Sequence, residues 1–254
     1  MSFTGKSVIV TGATSGIGRA TAQAFVREGA AVVLVGRDQA ALREVSTASA
    51  AGARVVTCAV DVTAADAPAR LVDTAIEAFG GLDVLVNAAG IIASAGLEAT
   101  TDELWDDMMA INLRAPFRLM RAAAPHLAAR RGAVVNVSSV NGLRSFPGVL
   151  AYCVSKAGVD HLTRCAALDL APLGVRVNAV NPGVTVTNLH RRSGMKEEQY
   201  AAFLERSKTT HPLGRAGQPE EVAELILFLA SDRAAWMTGE TIPIDGGRHL
   251  TCAR

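Results

Sequence analysis

The sequence predicts an α/β fold in which helices cover both faces of one open, doubly wound parallel sheet. Short apolar runs alternate with helical segments along the chain, and strands separated by helices form parallel β-α-β units. Hydrophobic residues make up 50% of the 254 residues but aromatic residues only 4%. The core must therefore consist of Ala, Val, Leu and Ile, which is typical of a buried parallel sheet. At this length we expect residues 1–254 to form a single domain.

The first half of the chain contains four predicted strands and three predicted helices. Each strand is a short apolar run, and each helix has apolar residues at helical spacing. Gly29 follows the first helix, Gly36 closes the second strand, and Pro68 lies in the first turn of the third helix, where its missing N–H is tolerated. In chain order these elements are a strand over Ser7–Val10, a helix over Ile17–Arg27, a strand over Ala31–Val35, a helix over Gln39–Ala51, a strand over Val55–Ala59, a helix over Pro68–Phe79 and a strand over Val84–Val86.

The second half continues the same alternation. A helical stretch runs from Thr101 to Arg131, and Pro116 predicts a kink within it. The polar segment 184–213, here called the lid segment, has a helical pattern near Lys196–Lys208 and is predicted to cover the binding crevice. The remaining elements are strands over Val134–Val137, Val175–Val180 and Glu240–Ile244 and helices over Ala151–Leu173 and Pro219–Leu229.

Charge, cysteine and histidine content exclude several classes of function. Lys+Arg 25 and Asp+Glu 24 leave a formal net charge of +1, whereas nucleic-acid-binding proteins usually have a basic surface. No run approaches the ~20 apolar residues that span a bilayer, and no signal-peptide pattern precedes the first strand. The four cysteines form no C-x-x-C pair and the five histidines no metal-binding pair. We therefore expect reduced thiols, no metal centre, and a cytoplasmic protein with no nucleic-acid or membrane partner.

A glycine-rich turn joins the first predicted strand to the first predicted helix. Gly12 permits the tight turn, Gly16 lets main chain approach a phosphate, and Gly18 allows close packing of helix and strand. The N–H groups at the start of the helix would then face a pyrophosphate, as in Rossmann folds. An ordinary glycine turn is the alternative, but the first β-α junction favours a dinucleotide site. The turn residues predicted to bind the cofactor are Gly12, Thr14, Ser15, Gly16, Ile17 and Gly18.

Tyr152 and Lys156 are four residues apart and therefore lie on one face of a helix. A phenol has a pKa of about 10, and an ammonium ion at ~4 Å supplies roughly 4 kcal/mol in an effective dielectric constant of 20, enough to bring that pKa near 7. An oxidised nicotinamide ring would add a second positive charge. Lys156 is thus predicted to make Tyr152 a usable proton donor and acceptor, although the spacing alone also fits a pair on the helix surface.

Further motifs follow in order along the chain. They are Asp61-Val62, Asn87-Ala88-Ala89-Gly90, Ile111-Asn112-Leu113, Ser139 thirteen residues before Tyr152, Pro182-Gly183 with Thr185 and Thr187, and Ile242-Pro243-Ile244-Asp245-Gly246-Gly247. With these motifs the chain resembles the classical short-chain dehydrogenase/reductase family over essentially its whole length, and within it the 3-oxoacyl-carrier-protein reductases. The resemblance implies that Asp61 and Val62 lie beside the adenine of the cofactor. It further implies that Asn87, Ala88 and Gly90 line the cofactor site and that Pro182, Gly183, Thr185 and Thr187 hold the nicotinamide carboxamide.

The resemblance also implies catalytic roles. Tyr152 would be the general acid in reduction and the general base in oxidation, and Ser139 would donate a hydrogen bond to the substrate oxygen. Lys156 would also hold the nicotinamide ribose, and Asn112 would bend its helix and hold a water in a proton relay through Lys156. Ser138 is the competing serine. Because neighbouring residues of a strand face opposite sides, only one of the two serines can face the crevice, and the family spacing favours Ser139.

The end of the second strand predicts the cofactor. NAD enzymes commonly place an acidic residue there to accept bonds from the ribose 2′-hydroxyl, but here the sequence is Gly36-Arg37-Asp38. Gly36 offers no carboxylate and leaves space, and Arg37 offers a cationic fork suited to a 2′-phosphate. NADP(H) is therefore the preferred cofactor and NAD(H) the alternative, since Asp38 could neutralise Arg37, Arg37 could stack on adenine, and Ser15 stands where many NADP-preferring relatives have a basic residue.

These residues predict an enzyme that interconverts a carbonyl and a secondary alcohol on a small molecule, with a catalytically silent nucleotide-binding module as the alternative. The resemblance implies a homotetramer in which the helices Thr101–Arg131 and Ala151–Leu173 pair with their copies, unless their small residues pack only within the chain. His190, Arg191 and Arg192 favour a solvated lid surface over a clamp for an acidic substrate. A largely apolar substrate pocket is predicted from Ile91, Ile92, Leu97, Phe146, Val149 and Leu189.

Overall fold

A computed structural model describes residues 1–48 and 52–251 and contains one seven-stranded parallel sheet in the order β3-β2-β1-β4-β5-β6-β7. The chain builds outward from β1 to β3 and then returns to place β4 on the other side of β1. The carboxyl ends of β1 and β4 therefore diverge into a crevice, where sheets of this type bind ligands. The strands are β1 (Ser7–Thr11), β2 (Ala31–Gly36), β3 (Val55–Ala59), β4 (Val84–Asn87), β5 (Ala133–Val137), β6 (Arg176–Pro182) and β7 (Thr241–Ile244).

Helices cover both faces of the sheet, which confirms the predicted doubly wound fold. The predicted end of the second helix at Ala51, and Cys252, lie outside the described residues. The α-helices are α1 (Gly16–Arg27), α2 (Gln39–Thr47), α3 (Ala67–Phe79), α4 (Asp102–Met109), α5 (Ala115–Arg130), α6 (Val140–Leu143), α7 (Leu150–Leu170), α8 (Leu189–Arg192), α9 (Glu197–Thr210) and α10 (Pro219–Ala230).

The core consists of two apolar layers, one on each side of the sheet. Neighbouring residues of β1 face opposite layers: Val8 and Val10 pack in the layer that contains Phe25 of α1, whereas Ile9 packs in the layer that contains Leu119 of α5. The alternation follows from the two-residue period of a strand. Because both faces are covered, the strands are largely apolar, as the composition predicted.

The helix predicted over Thr101–Arg131 is not continuous. A π-helical segment, Ala110–Arg114, separates α4 from α5. Pro116 lies in the first turn of α5 rather than at the irregularity itself. Since proline has no N–H to donate to the carbonyl four residues earlier, the irregularity falls on its N-terminal side, around Asn112.

Three further features were not anticipated or were anticipated only in outline. A short helix, α6, follows β5, and the lid segment contains two helices, α8 and α9, where one was predicted. The helix predicted over Ala151–Leu173 ends as a 3₁₀ turn over Ala171–Leu173. Across residues 1–48 and 52–251, none of the helices has the length and apolarity needed to cross a membrane.

Candidate active site

A cleft of about 400 Å³ opens at the carboxyl ends of the central strands, within the size range of small-molecule sites. The glycine-rich turn forms one end, and α7 and the lid segment form the other. Most of the predicted site residues line it. They are Gly12, Ser15, Gly16, Ile17, Gly18, Ala88, Gly90, Ser139, Tyr152, Lys156, Pro182, Gly183, Thr185 and Thr187.

Six predicted site residues do not line this cleft. Four of them, Thr14, Arg37, Asp61 and Val62, lie beyond it, around the ends of the adjacent strands β2 and β3. The Asn87 side chain is buried and donates from Nδ2 to Asn136 Oδ1 at 2.8 Å. The Asn112 side chain is also buried, behind the loop that follows β4.

The glycine-rich turn has the shape of a phosphate cradle. Gly12 and Gly16 have φ of +68° and +55°, a region that residues with a Cβ rarely occupy. A Cβ on Gly12 would lie 3.0 Å from the Ala88 carbonyl oxygen, and one on Gly18 would overlap the Gly12 carbonyl. Ser15 caps α1 without using its hydroxyl. These residues therefore leave main-chain N–H groups and one hydroxyl for an anionic group, which fits the pyrophosphate of a dinucleotide.

Arg37 is exposed at the end of β2, and its guanidinium lies in no ion pair in the described part of the chain. Asp38, the suspected neutralising partner, instead caps α2 by accepting from Ala40 N and Ala41 N at 2.9 and 3.1 Å. Hydrogen bonds from Thr63, with a smaller contribution from the Arg37 charge, lower the pKa of Asp61.

The expectation that Gly36 leaves space is wrong. A Cβ on Gly36 would lie 2.7 Å from Thr14 Cγ2, so the methyl group of Thr14 already fills that space. An acidic side chain at position 36, which would bind a 2′-hydroxyl, would therefore require the Thr14 side chain to move.

Ser138 and Ser139 point in different directions at the end of β5, as the alternation of a strand requires. Ser138 Oγ donates to the Lys156 carbonyl at 3.1 Å, whereas Ser139 lines the cleft. Ser139 Oγ accepts from Asn141 N at 3.1 Å and lies 3.2 Å from Asn141 Oδ1. Asn141, which the sequence analysis missed, therefore orients the Ser139 hydroxyl; its only sequence signal is its position two residues after Ser139.

Tyr152 and Lys156 lie on one face of α7, but their electrostatics differ from the expectation. Burial raises the pKa of Tyr152 to about 12, and hydrogen bonding by Ser139 lowers it only in part. The Lys156 Nζ donates to the Val137 carbonyl at 2.8 Å and lies 5.7 Å from the centroid of the Tyr152 ring. The predicted fall of the Tyr152 pKa toward 7 is therefore absent. The cost of burying a phenolate outweighs the stabilisation by an ammonium group whose nitrogen is bound to the Val137 carbonyl.

A buried carboxylate that the sequence analysis missed supports Lys156. Asp160 lies one turn after Lys156 and accepts from Asn181 Nδ2 at 3.0 Å, and the same Nδ2 donates to the Ser139 carbonyl at 2.9 Å. Burial lowers the pKa of Lys156 to about 8, and the Asp160 charge acts in the opposite direction. The position four residues after Lys156 is the signal that could have identified Asp160.

Tyr200 of α9 and His211, the residue that follows α9, hold the loop that follows β6. The Tyr200 hydroxyl donates to the Thr187 carbonyl at 2.9 Å and accepts from Thr187 N at 3.2 Å. His211 Nε2 accepts from Val184 N at 3.2 Å, and burial is the main cause that lowers the pKa of this imidazole. Within the lid segment, these side chains thus tie α9 to the loop that contains the residues predicted to hold the nicotinamide.

The cleft is largely apolar, as predicted for its substrate end, and Ile91, Ile92, Phe146, Val149 and Leu189 line it. Leu97 is 78% exposed and lies outside the cleft. The same lining also includes a cationic wall, which contains Arg192, Arg206 and Arg248. Within the described ranges 1–48 and 52–251, no group of His, Cys, Asp and Glu side chains could hold a metal ion.

Asn112 lies in the π-helical segment and is connected to the active site through Gly90. Its Oδ1 accepts from Ile91 N at 2.9 Å, and its Nδ2 donates to the Ile91 carbonyl at 3.0 Å. A Cβ on Gly90 would lie 3.2 Å from Asn112 Oδ1 and 3.7 Å from Lys156 Nζ. The absent side chain therefore leaves a gap between the two groups, and this gap suits the relay water that the resemblance implies.

Replacing Gly90 by Ala should fill this gap. The φ of Gly90 is not positive, so we expect the variant to fold, while a displacement of Asn112 or Lys156 lowers kcat by about tenfold. Thermal unfolding and steady-state kinetics would measure the two effects. Gly96→Ala is the matched control, since a Cβ on Gly96 meets nothing within 4 Å. A normal kcat in a folded Gly90→Ala variant would contradict a role for the gap.

Comparisons with known proteins agree with this geometry. The family described as enoyl-(acyl carrier protein) reductase matches residues 12–249. The 3-oxoacyl-[acyl-carrier-protein] reductase of Thermotoga maritima is 40% identical over 249 residues, which cover 97% of this chain and 99% of the relative. The 2,5-dichloro-2,5-cyclohexadiene-1,4-diol dehydrogenase of Sphingobium indicum is 38% identical over 245 residues, which cover 96% of each chain.

A solved structure has the same fold. It is a short-chain dehydrogenase/reductase of unknown function from Caenorhabditis elegans, crystallised with its cofactor. The TM-score is 0.92 and the sequence identity 36%, with 98% of this chain and 97% of the other chain covered. Since the relatives include both a reductase and a dehydrogenase, the comparisons leave the direction of the reaction open.

Proposed function

The chain belongs to the short-chain dehydrogenase/reductase family of oxidoreductases, and from that premise we propose that it transfers a hydride between NADP(H) and a carbonyl or secondary alcohol, with Tyr152 as the general acid and base. The observation that carries this proposal is the convergence of Ser139, Tyr152 and Lys156 on the cleft whose other end is the glycine-rich turn. A module that only binds a nucleotide has no need for three such groups around one point.

When bound, the nicotinamide supplies or accepts the hydride, and the chain's own residues handle the proton. With a pKa raised to about 12, Tyr152 carries its proton at neutral pH and can donate it to a carbonyl oxygen. Ser139 would donate a second hydrogen bond to the same oxygen. The Lys156 ammonium stabilises the phenolate that remains. In oxidation Tyr152 must first lose its proton, so that direction depends more on additional positive charge nearby and on alkaline pH.

The experiment that tests the proposal is a panel of ketones and secondary alcohols assayed with NADPH, NADH and their oxidised forms at the nicotinamide absorbance. We expect turnover with at least one carbonyl compound and higher kcat/KM with NADPH. Binding of NADPH without turnover of any compound in the panel would favour the silent nucleotide-binding module. Turnover that prefers NADH would favour the same chemistry with NAD(H).

The pH dependence of reduction should report on Lys156. Because burial lowers the pKa of Lys156 to about 8, its positive charge is present at pH 7 and lost as the pH rises through that value. We expect the kcat/KM for reduction to fall on this alkaline side. Asp160→Asn removes the charge that favours the ammonium, so the fall should begin at lower pH while the rate at acidic pH is kept.

Asp160→Glu, which keeps the charge, is the matched control for that measurement. It should bring the alkaline fall back toward the wild-type pH. If Asp160→Asn lowers the rate equally at every pH, Asp160 has only a structural role.

We also propose that the enzyme is a homotetramer assembled through α5 and α7. Apolar side chains on these helices are exposed in the single chain: Phe117 at 43%, Val154 at 43% and Leu168 at 77%. Burial of such side chains against a second copy is favourable, and closed symmetry is the norm for soluble oligomers. Four of the small residues on these helices pack in the chain's own core or against it: Ala122, Ala123, Ala166 and Ala167. Sedimentation that shows only a 26.4 kDa species would exclude the tetramer.

A further inference from the structure

The cationic wall of the cleft has no counterpart in the chemistry proposed so far. Arg192 and Arg206 come from α8 and α9 of the lid segment, and Arg248 follows β7. All three line the same cleft as Tyr152 and Ser139. We call them the arginine wall. None of them is needed to transfer a hydride or a proton, so their presence calls for a separate explanation.

Arg248 is the most constrained of the three. It is half-buried, its guanidinium lies 4.9 Å from the centroid of the Phe146 ring, and one of its nitrogens donates to Thr210 Oγ1 at 2.6 Å. Burial, Arg206 and Arg144 lower the pKa of Arg248, and only Asp245 opposes them. The Arg248 guanidinium is thus held close to the positive charges of Arg206 and Arg144, which destabilise its charged form.

The nearest carboxylate is already occupied. Asp245 accepts from Gly247 N, from His249 N and from the His249 ring at 2.7 to 3.1 Å. In the part of the chain that the structure describes, the arginine wall lies in no ion pair. Two other arginines of the same region do have partners, Arg191 with Glu197 at 2.7 Å and Arg215 with Glu221 at 2.6 Å.

The prediction that His190, Arg191 and Arg192 form a solvated lid surface therefore holds for only part of the lid segment. Arg191 faces Glu197 and stacks on Tyr200, with its guanidinium 3.9 Å from the ring centroid. Arg192, its neighbour, lines the cleft. Arg144, the other cation near Arg248, already donates to the His249 and Thr251 carbonyls, so its role is to hold the C-terminal segment. The arginine wall, which faces the cleft, therefore carries positive charges that have no ion-pair partner in the described part of the chain.

We propose that the substrate carries an anionic oxygen group, a carboxylate or a phosphate, which the arginine wall binds while the carbonyl lies against Tyr152 and Ser139. This inference rests on the proposed function and names its substrate class. Guanidinium groups bind such oxyanions through paired, charge-assisted hydrogen bonds. Arg206 and Arg248, which interact electrostatically with each other, form the centre of the site, and the apolar residues of the same cleft contact the carbon chain between the two ends.

The experiment compares straight-chain oxo acids of increasing length with their methyl esters, with NADPH as reductant. For the best acid we expect kcat/KM to exceed that of its ester by roughly 10- to 100-fold. Arg248→Met, which removes the charge and keeps an unbranched side chain, should abolish most of this difference by raising KM for the acid. It should leave the ester and KM for NADPH unchanged, and Arg248→Lys should restore part of the preference.

Lys208→Ala is the matched control, because Lys208 lies on α9 beside Arg206 and is exposed outside the cleft; it should leave the acid-to-ester ratio unchanged. A phosphopantetheine thioester of an oxo acid provides the second arm. If the wild type prefers this thioester over a neutral thioester and Arg248→Met loses the preference, the anion that the arginine wall binds is a phosphate rather than a carboxylate.

The outcomes separate the two proposals. If acids and esters, and charged and neutral thioesters, react equally well in the wild type, the anion site is wrong while the carbonyl reduction stands. If Arg248→Met changes KM for NADPH instead, the arginine wall belongs to the cofactor site, and the inference is overturned. If no compound turns over, the proposed function itself fails. In that case the rise in the thermal unfolding temperature on adding an oxo acid still measures anion binding. If this rise is absent in the wild type, or equally large in Arg248→Met, the inference is overturned too.

Discussion

Replacing Tyr152 by Phe is expected to lower kcat by about 10²–10⁴-fold, the usual contribution of general acid–base catalysis. The ring fills the same buried space, with only 6% of the residue exposed, so the fold should be kept. The variant loses a hydroxyl that is protonated at neutral pH and hydrogen-bonded with Ser139. Cofactor binding should survive, because Lys156 and the glycine-rich turn are unchanged.

The measurement is steady-state reduction of the best substrate of the panel, together with NADPH binding followed by fluorescence. Tyr200→Phe is the matched control, since it removes the other tyrosine hydroxyl of the chain. Its hydroxyl bonds to the main chain of Thr187 and interacts with Arg191, so the variant should raise KM for the cofactor more than it lowers kcat. A kcat near the wild-type value in Tyr152→Phe would remove Tyr152 from the mechanism.

Lys156→Ala should differ from Tyr152→Phe in a way that separates their roles. It removes both the ammonium that stabilises the phenolate and the group proposed to hold the nicotinamide ribose. We therefore expect kcat to fall and the affinity for NADPH to fall with it. A variant that loses turnover but binds NADPH normally would restrict Lys156 to the proton step.

The fold could be predicted from the sequence because its signals are local. Apolar runs such as Val32–Leu34 lie on strands that are buried on both faces, and Gly29 and Gly80 have the positive φ that ends a helix. The direction of Ser139 followed from the two-residue period of β5. Each of these inferences depends on residues within one turn or one strand of the feature.

The properties that the sequence could not reveal depend on residues that meet only after folding. The pKa of Tyr152 is set by burial beneath other elements rather than by the spacing to Lys156. The space beside Gly36 is filled by Thr14 from another loop. The arginine wall combines Arg206 and Arg248, which are far apart in the chain. Periodicity carries no information about contacts between residues so far apart in the chain, so it could predict the apolar residues of the substrate end but not the arginine wall beside them.

Replacing Arg37 by Ala is expected to lower the preference for NADPH over NADH by roughly 10- to 150-fold, the range expected when charge-assisted hydrogen bonds of about 1.5–3 kcal/mol are lost. Arg37 is exposed, and Asp38, the nearest carboxylate in sequence, is engaged by the N-terminus of α2. The guanidinium is therefore available to a 2′-phosphate, and Gly36 provides no carboxylate for a 2′-hydroxyl.

The measurement is kcat/KM with NADPH and with NADH for the wild type, Arg37→Ala and Arg43→Ala. Arg43 is an exposed arginine on α2 and controls for the loss of one surface charge, so its ratio of the two constants should match the wild type. In Arg37→Ala the lower kcat/KM with NADPH should come from a higher KM for NADPH. The KM for NADH should not change, because NADH has no 2′-phosphate. The loss should also shrink at high salt, since an exposed charge pair is screened within about 10 Å at 0.1 M. If both cofactors weaken together, Arg37 stacks on the adenine that they share, and the preference for NADP(H) must come from elsewhere.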